Sequence, residues 1–210
     1  MSYKVELLWP TPVYMNKLST NSNDLTIAKT FKYERMKSNN GDYTLDKNVL
    51  DKMPSLKNRI EIEFDNYVRN VLHINKEIKF KLINSWINIH KKGDYAQSHC
   101  HKNSCFSGVY YLNAPENSGD INFERSLSLT NVSTSTIQYD YDEVNYISAD
   151  NVKFKAENGV ILFFPSTIYH SVDKSKTDVE RYSLAFNFSE IFKAHCPGCS
   201  ITPKSKFIND

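Results

Sequence analysis

Residues 78–101 read IKFKLINSWINIHKKGDYAQSHCH. From Ile78 to Ile89 apolar residues fall at every second position or in short runs, and the stretch breaks at Lys91-Lys92-Gly93-Asp94. A period of two that ends in turn residues specifies a strand and a reverse turn. The pattern recurs at Cys105–Leu112, Ile121–Phe123, Val152–Phe154, Val160–Phe164 and Tyr182–Phe188, so six or more short strands are expected after Asn75. Asn113-Ala114-Pro115-Glu116-Asn117-Ser118-Gly119 supplies a turn between two of them.

Upstream the period changes. Between Met53 and Leu72, Leu56, Ile60, Phe64, Tyr67, Val68 and Val71 recur at three- and four-residue spacing, which predicts an amphipathic helix lying on a flat surface. A weaker helical pattern runs from Asp24 to Met36 and ends at Asn39-Asn40-Gly41-Asp42. Leu7, Leu8, Trp9, Val13 and Tyr14, broken by Pro10 and Pro12, read as a short edge strand with a bend. Helices followed by many strands indicate an α+β chain, mainly β, built as a sandwich or jelly roll. The N-terminal helices should pack on one of its sheets.

At 210 residues the chain suits one domain. Its expected divisions are an N-terminal strand with supporting helices over 1–75, a strand-rich core over 76–190 and a tail over 191–210. Residues 126–150, rich in Ser, Thr, Asn and Tyr, should form a long loop or an extra hairpin that serves as a lid, with Tyr139, Tyr141 and Tyr146 lining an entrance. Lys and Arg total 26 against 24 Asp and Glu, scattered along the chain, so charge gives no ground for a nucleic-acid or anionic-membrane partner. The first residues lack the apolar run of a signal peptide, and no later run approaches the roughly 20 residues that span a bilayer. A soluble, cytoplasmic protein is expected. Cys100, Cys105, Cys196 and Cys199 are too few for a disulfide framework and read as reduced thiols. Cys196-Pro197-Gly198-Cys199, next to His195, is half of a zinc or redox motif and carries little weight without a second pair.

The histidines carry more. His90, His99 and His101 flank the turn after the strand, and His170 follows the strand Val160–Phe164. In an extended segment residues two apart face one side, so His99 and His101 can present two imidazoles to one ion while a distant strand adds a third ligand. Three ligands on one face leave the other positions of a metal open, which is what O₂ activation requires. Taken alone, a histidine in a turn is ordinarily a solvated side chain, and Arg181 an ordinary arginine on an edge strand.

The company these residues keep is more specific. His90, Gly93 and His99, then Tyr111-Leu112-Asn113 with Ser118-Gly119-Asp120-Ile121-Asn122-Phe123, then Gly159, Val160–Phe164, His170 and Arg181-Tyr182-Ser183 stand in the order and spacing of a known core. From about Trp86 to Phe188 the chain resembles the 2-oxoglutarate-dependent Fe(II) oxygenases in their prolyl-4-hydroxylase-like arrangement. His90 departs from the usual Tyr, and Asp120 occupies a place where the family has a Glu that does not bind metal. Trp-Pro-Thr-Pro-Val at 9–13, Ser107-Gly108-Val109-Tyr110-Tyr111-Leu112, Phe164-Pro165-Ser166 and Arg181-Tyr182-Ser183-x-x-Phe186-Asn187-Phe188 look more narrowly like a small group of such oxygenases common in marine bacteria and phages.

The resemblance implies a double-stranded β-helix, cupin-like in form, with Fe(II) and 2-oxoglutarate as cofactors. His99 and His170 would bind the iron, and Arg181 with Ser183 the C5 carboxylate of 2-oxoglutarate. It implies a hydroxylase that converts 2-oxoglutarate to succinate, acting on a small molecule or a protein side chain. His101 stands where most of the superfamily has Asp or Glu, which implies a three-histidine site. The alternatives for that third position are water, chloride, Asp94 or Asp120. Two other readings stay open at this level: a three-histidine dioxygenase that does not use 2-oxoglutarate, and a β-sandwich binding protein that kept the fold without the catalysis.

Overall fold

The computed structural model describes residues 4–5, 10–36, 41–125 and 140–191. Cys196, Cys199, His195, Tyr139, Leu7, Leu8 and Trp9 lie outside the described residues, whereas Cys100 and Cys105 are free thiols.

Among the described residues eleven strands form two antiparallel sheets. They are β1 (Tyr14–Lys17), β2 (Tyr33–Arg35), β3 (Asp42–Thr44), β4 (Phe80–His90), β5 (Ala96–His99), β6 (Phe106–Asn113), β7 (Ile121–Glu124), β8 (Asn151–Phe154), β9 (Val160–Pro165), β10 (His170–Val172) and β11 (Arg181–Glu190). The larger sheet has the order β1-β9-β6-β11-β4-β3-β2 and the smaller β5-β10-β7-β8. Strand β1 closes one edge, pairing Tyr14 with Phe163 of β9; of the residues read as an edge strand only Tyr14 lies in it. Helix α1 (Ser22–Ala28) and helix α2 (Pro54–Asn66) cover the outer face of the larger sheet.

Strand alternation explains why three layers form. In β9 Ile161 and Phe163 face the helices, while Val160, Leu162 and Phe164 face the smaller sheet. In β6 Tyr110 and Leu112 face the helices and Tyr111 faces inward. Each such strand is apolar on both sides because it is covered on both. Helix α2 starts at Pro54, whose missing N–H costs nothing at the first turn. It buries Leu56, Ile60 and Phe64 at four-residue intervals, and a π-helical turn over Tyr67–Val71 then brings Tyr67 and Val68 into the same core. The Phe64 ring stacks on Phe188 at 3.8 Å between centroids and meets Phe80, Phe106 and Phe163 edge-on or tilted. Gly108 allows β6 to come this close, since a Cβ there would run into the Phe186 ring and the Leu162 carbonyl.

One expectation fails. The helix read over Asp24–Met36 stops at Ala28, and Tyr33–Arg35 instead pairs with Asp42–Thr44 as a hairpin. Tyr33 explains the switch: its ring packs against the helix-side core and its hydroxyl donates to the Ala28 carbonyl at 2.7 Å, capping the short helix. No described helix is long and apolar enough to cross a membrane.

Truncating Phe64 removes the ring that joins α2 to four other aromatic residues. Phe64→Ala should therefore cost about 3–5 kcal/mol, read as a lower urea midpoint with little change in slope.

Candidate metal and cosubstrate site

β4 and β11 pair from Arg181↔His90 to Glu190↔Phe80. One face of this ribbon, with Ile87, Ile89, Tyr182, Leu184, Phe186 and Phe188, packs on the helices. The opposite face is polar and directly cross-paired: His90 with Arg181, Asn88 with Ser183, Trp86 with Ala185 and Asn84 with Asn187. Where β6 and β9 meet β7 and β8 the interior is apolar; beside β4 and β11 it is lined by groups that bind and hydrogen-bond.

The smaller sheet brings the histidines to this polar interior. Across the β5–β10 pair His99 stands directly opposite His170, whose other neighbour is Phe123 of β7. The imidazole centroids of His99 and His170 are 4.4 Å apart, those of His101 and His170 5.1 Å, and those of His99 and His101 5.3 Å. One ligand atom from each residue lies within 4.8 Å of the other two. The His-x-His spacing does not act as a strand spacing, because β5 ends at His99 and Cys100 and His101 lie beyond it, before a turn at Lys102–Asn103. His101 is recovered by its backbone N–H, which donates to the Ser166 carbonyl at 2.8 Å.

The hydrogen bonds fix the tautomers. His99 Nδ1 lies 2.8 Å from the Gln97 carbonyl and His170 Nδ1 3.0 Å from the Ile168 carbonyl. A carbonyl only accepts, so each Nδ1 carries a proton, and Nε2 is the nitrogen left to meet a metal. His101 Nδ1 lies 2.8 Å from Asn187 Oδ1 and 2.8 Å from Ser107 Oγ. Burial, and then the neighbouring His99, lower the pKa of His170 to about 3. Burial also lowers that of His101, against the bond to Asn187. Three imidazoles converging on one point are the donor set a divalent transition metal takes.

The carboxylates that sequence offered as alternative third ligands are engaged elsewhere. Asp94 is held by the Arg35 guanidinium and the Lys91 N–H, and Asp120 accepts from the Ala156 N–H at 2.9 Å.

Arg181 is the most buried charge in the described structure, at 1% exposure. Its Nη1 donates to the carbonyls of Ser118 (3.3 Å) and Gly119 (2.6 Å), and its Nη2 meets His90 Nδ1. Burial, with Arg181 next, lowers the pKa of His90 to about 3, so its ring is neutral and accepts from the guanidinium. Among the described residues no carboxylate forms an ion pair with Arg181, and its Nε is buried without a partner, as are Ser118 Oγ and Ser175 Oγ. A buried cation held only by neutral groups is costly unless an anion completes it. Ser183 is buried one pleat along the same face, as the sequence expected. Sequence reasoning missed the contribution of His90 as the neutral partner of Arg181. It also missed Tyr111, which lies in electrostatic reach of Arg181 and whose phenol burial pushes up to about 12. Both stood in the quoted motifs, and only the strand register shows what they face.

Residues 84–187 match a family model described as "Putative 2OG-Fe(II) oxygenase", a span that begins at Asn84 and ends at its partner Asn187. No curated protein sequence matches the chain. Among solved structures it is similar to the α-ketoglutarate-dependent epimerase SnoN from nogalamycin biosynthesis (TM-score 0.61, 14% identity, 85% of this chain and 78% of that one). It is also similar to HygX from Streptomyces hygroscopicus with nickel and 2-oxoglutarate bound (TM-score 0.58, 9% identity, 87% and 84%). A prolyl-4-hydroxylase from Pseudomonas putida shares the fold as well (TM-score 0.52, 13% identity, 85% and 92%). The two sheets are the double-stranded β-helix of these oxygenases, and over residues 84–187 the chain is that of the 2OG-Fe(II) oxygenase family, non-haem iron enzymes that depend on Fe(II) and 2-oxoglutarate.

Proposed function

We propose that His99, His101 and His170 hold Fe(II), that Arg181 and Ser183 hold the C5 carboxylate of 2-oxoglutarate, and that the enzyme hydroxylates its substrate. The observation that carries this reading is the pairing, on one interior, of three imidazoles with a buried arginine whose Nε has no partner and which forms no ion pair among the described residues. The donor set fits a divalent iron, and the buried guanidinium with its unpartnered Nε fits a carboxylate. Between the Arg181 and Asn187 ends of β11 the inward residues are Ser183 and Ala185, both small. Bound together, iron and cosubstrate supply the oxidation: 2-oxoglutarate and O₂ give succinate and CO₂, and the second oxygen atom enters a C–H bond of the substrate.

The protein's own groups bind and orient. Arg181 offers charge-assisted bonds of fixed direction, and His90, kept neutral, holds the guanidinium without competing as an anion. Ser183 adds a hydroxyl on the same face. Tyr111 stays a neutral phenol beside Arg181 and can donate without adding charge. Tyr169, which precedes His170 in the chain, is half exposed, and the substrate would be a small molecule or a protein side chain.

Adding Fe(II) and 2-oxoglutarate to the protein without oxygen should give the weak visible charge-transfer band of the chelate. Arg181→Ala should weaken 2-oxoglutarate binding roughly 10–100-fold, the loss expected for hydrogen bonds to a charged group. Iron bound without a band would point to a three-histidine dioxygenase that does not use the oxo acid.

The neutral histidines also set an acid limit. His90 and His170 take a proton near pH 6.5 when unfolded but only near 3 when folded, so the unfolded state binds more protons between these values. Their contribution is complete above about 6.5 and is lost as pH falls toward 3. Thermal denaturation of the metal-free protein should show a midpoint that drops across this window, less steeply in His90→Gln.

A further inference from the structure

Ser107, Ser166 and Asn187 lie in three separate motifs of the sequence, and none has a part in holding iron or 2-oxoglutarate. The fold brings all three to His101. Asn187 Nδ2 donates to Asn84 Oδ1 at 2.8 Å, which turns Asn187 Oδ1 the other way, toward His101 Nδ1 (2.8 Å) and Ser107 Oγ (2.7 Å). Ser104 Oγ donates to Ser166 Oγ at 2.8 Å, and Ser166 Oγ lies 2.8 Å from Ser107 Oγ. The protons have one consistent direction. Ser104 donates to Ser166, Ser166 to Ser107, and Ser107 to Asn187 Oδ1, which has no proton to pass on. The imidazole that completes Oδ1 must therefore be a donor.

We propose that Asn187 is the positioning residue that makes His101 a metal ligand, holding its proton on Nδ1 and directing Nε2 to the cluster, with Asn84, Ser107 and Ser166 fixing the direction of that bond. The proposal rests on the three-histidine reading above and adds how the third imidazole is held. His99 and His170 do not need such a device, because each bonds to the carbonyl two residues before it. His101 lies past the end of β5, outside the strand ladder, so its ring orientation depends on side chains from β6, β11 and the turn after β9. The network is also selective. Ser107 and Ser166 are fully buried and Asn187 is 6% exposed, so unmatched polar atoms here would stay unmatched. A carboxylate at position 101 would be shorter than an imidazole and would set an acceptor against Asn187 Oδ1. The surroundings of residue 101 thus suit the histidine present and not the acid that stands there in most of the superfamily.

The test uses Co(II) as a spectroscopic probe, titrated by calorimetry and visible absorption into the metal-free full chain. Asn187→Leu keeps the volume and removes the acceptor; Asn187→Asp keeps both. Loss of an outer-shell partner should weaken Co(II) binding by roughly 10–100-fold in Asn187→Leu, approaching His101→Ala and changing the Co(II) band. Asn187→Asp should return to within a few-fold of wild type. Should Asn187→Leu fail to fold, as judged by thermal denaturation without metal, Asn187→Ala takes its place. Wild-type affinity in the variant that lacks the acceptor, or equal weakening in Asn187→Asp, overturns the proposal while leaving the histidine site intact. Absence of Co(II) binding by the wild type overturns both.

Discussion

The pairing of β4 with β11 is the constraint on which the rest of the molecule depends. Each strand alternates, and the register sets like beside like: Ile87 and Ile89 with Leu184 and Tyr182 toward the helices, His90, Asn88, Trp86 and Asn84 with Arg181, Ser183, Ala185 and Asn187 toward the interior. A slip of one residue would exchange the two faces and put a guanidinium into the core under α2. The register shift between Asn187 and Phe188 has the same effect in miniature. The extra residue, Ile83, lets Leu82 turn to the apolar side opposite Phe188, although Asn84, two residues on, faces inward.

This division reconciles stability with function. The outer face of the larger sheet, covered by α2, carries most of the buried aromatic surface, and the apolar half of the interior at β6, β9, β7 and β8 ties the sheets together. The other half of the interior can then hold groups that contribute little to folding or oppose it: three imidazoles turned toward one another and an arginine whose Nε has no partner. Departures from good packing of this kind gather where a protein binds something. Gly119 belongs to the same economy of space, since its positive φ turns the backbone so that its carbonyl reaches Arg181.

Much of this was legible in the sequence for a physical reason. Long strands covered on both sides, such as β6 and β9, and a helix with four-residue spacing, such as α2, write their environment into composition. β5 (Ala-Gln-Ser-His) and β10 (His-Ser-Val) do not, because three or four mostly polar residues become strands only by pairing with neighbours. Yet these are the strands that set His99 across from His170. Tyr33–Arg35 was hidden likewise, its helical pattern overridden by pairing with β3. The residue types at the site were readable from motif spacing. The partners that give them a state, His90 for Arg181 and Asn187 for His101, come from positions 86 or more apart in the chain and follow only from register.

Three imidazoles in place of two and a carboxylate would remove one negative charge from the ligands of a bound metal, which would raise the net charge of an Fe(II) centre and its reduction potential. The protein would hold that extra charge apart from the Arg181 cation, and a dianionic cosubstrate would lie between the two. The most direct measurement is a crystal structure of the protein grown without oxygen in the presence of Fe(II) and 2-oxoglutarate. The account predicts one iron bonded by Nε2 of His99, His101 and His170, with the far carboxylate of 2-oxoglutarate on Arg181. Iron held by two histidines with His101 turned away, or 2-oxoglutarate bound without contact to Arg181, would contradict it.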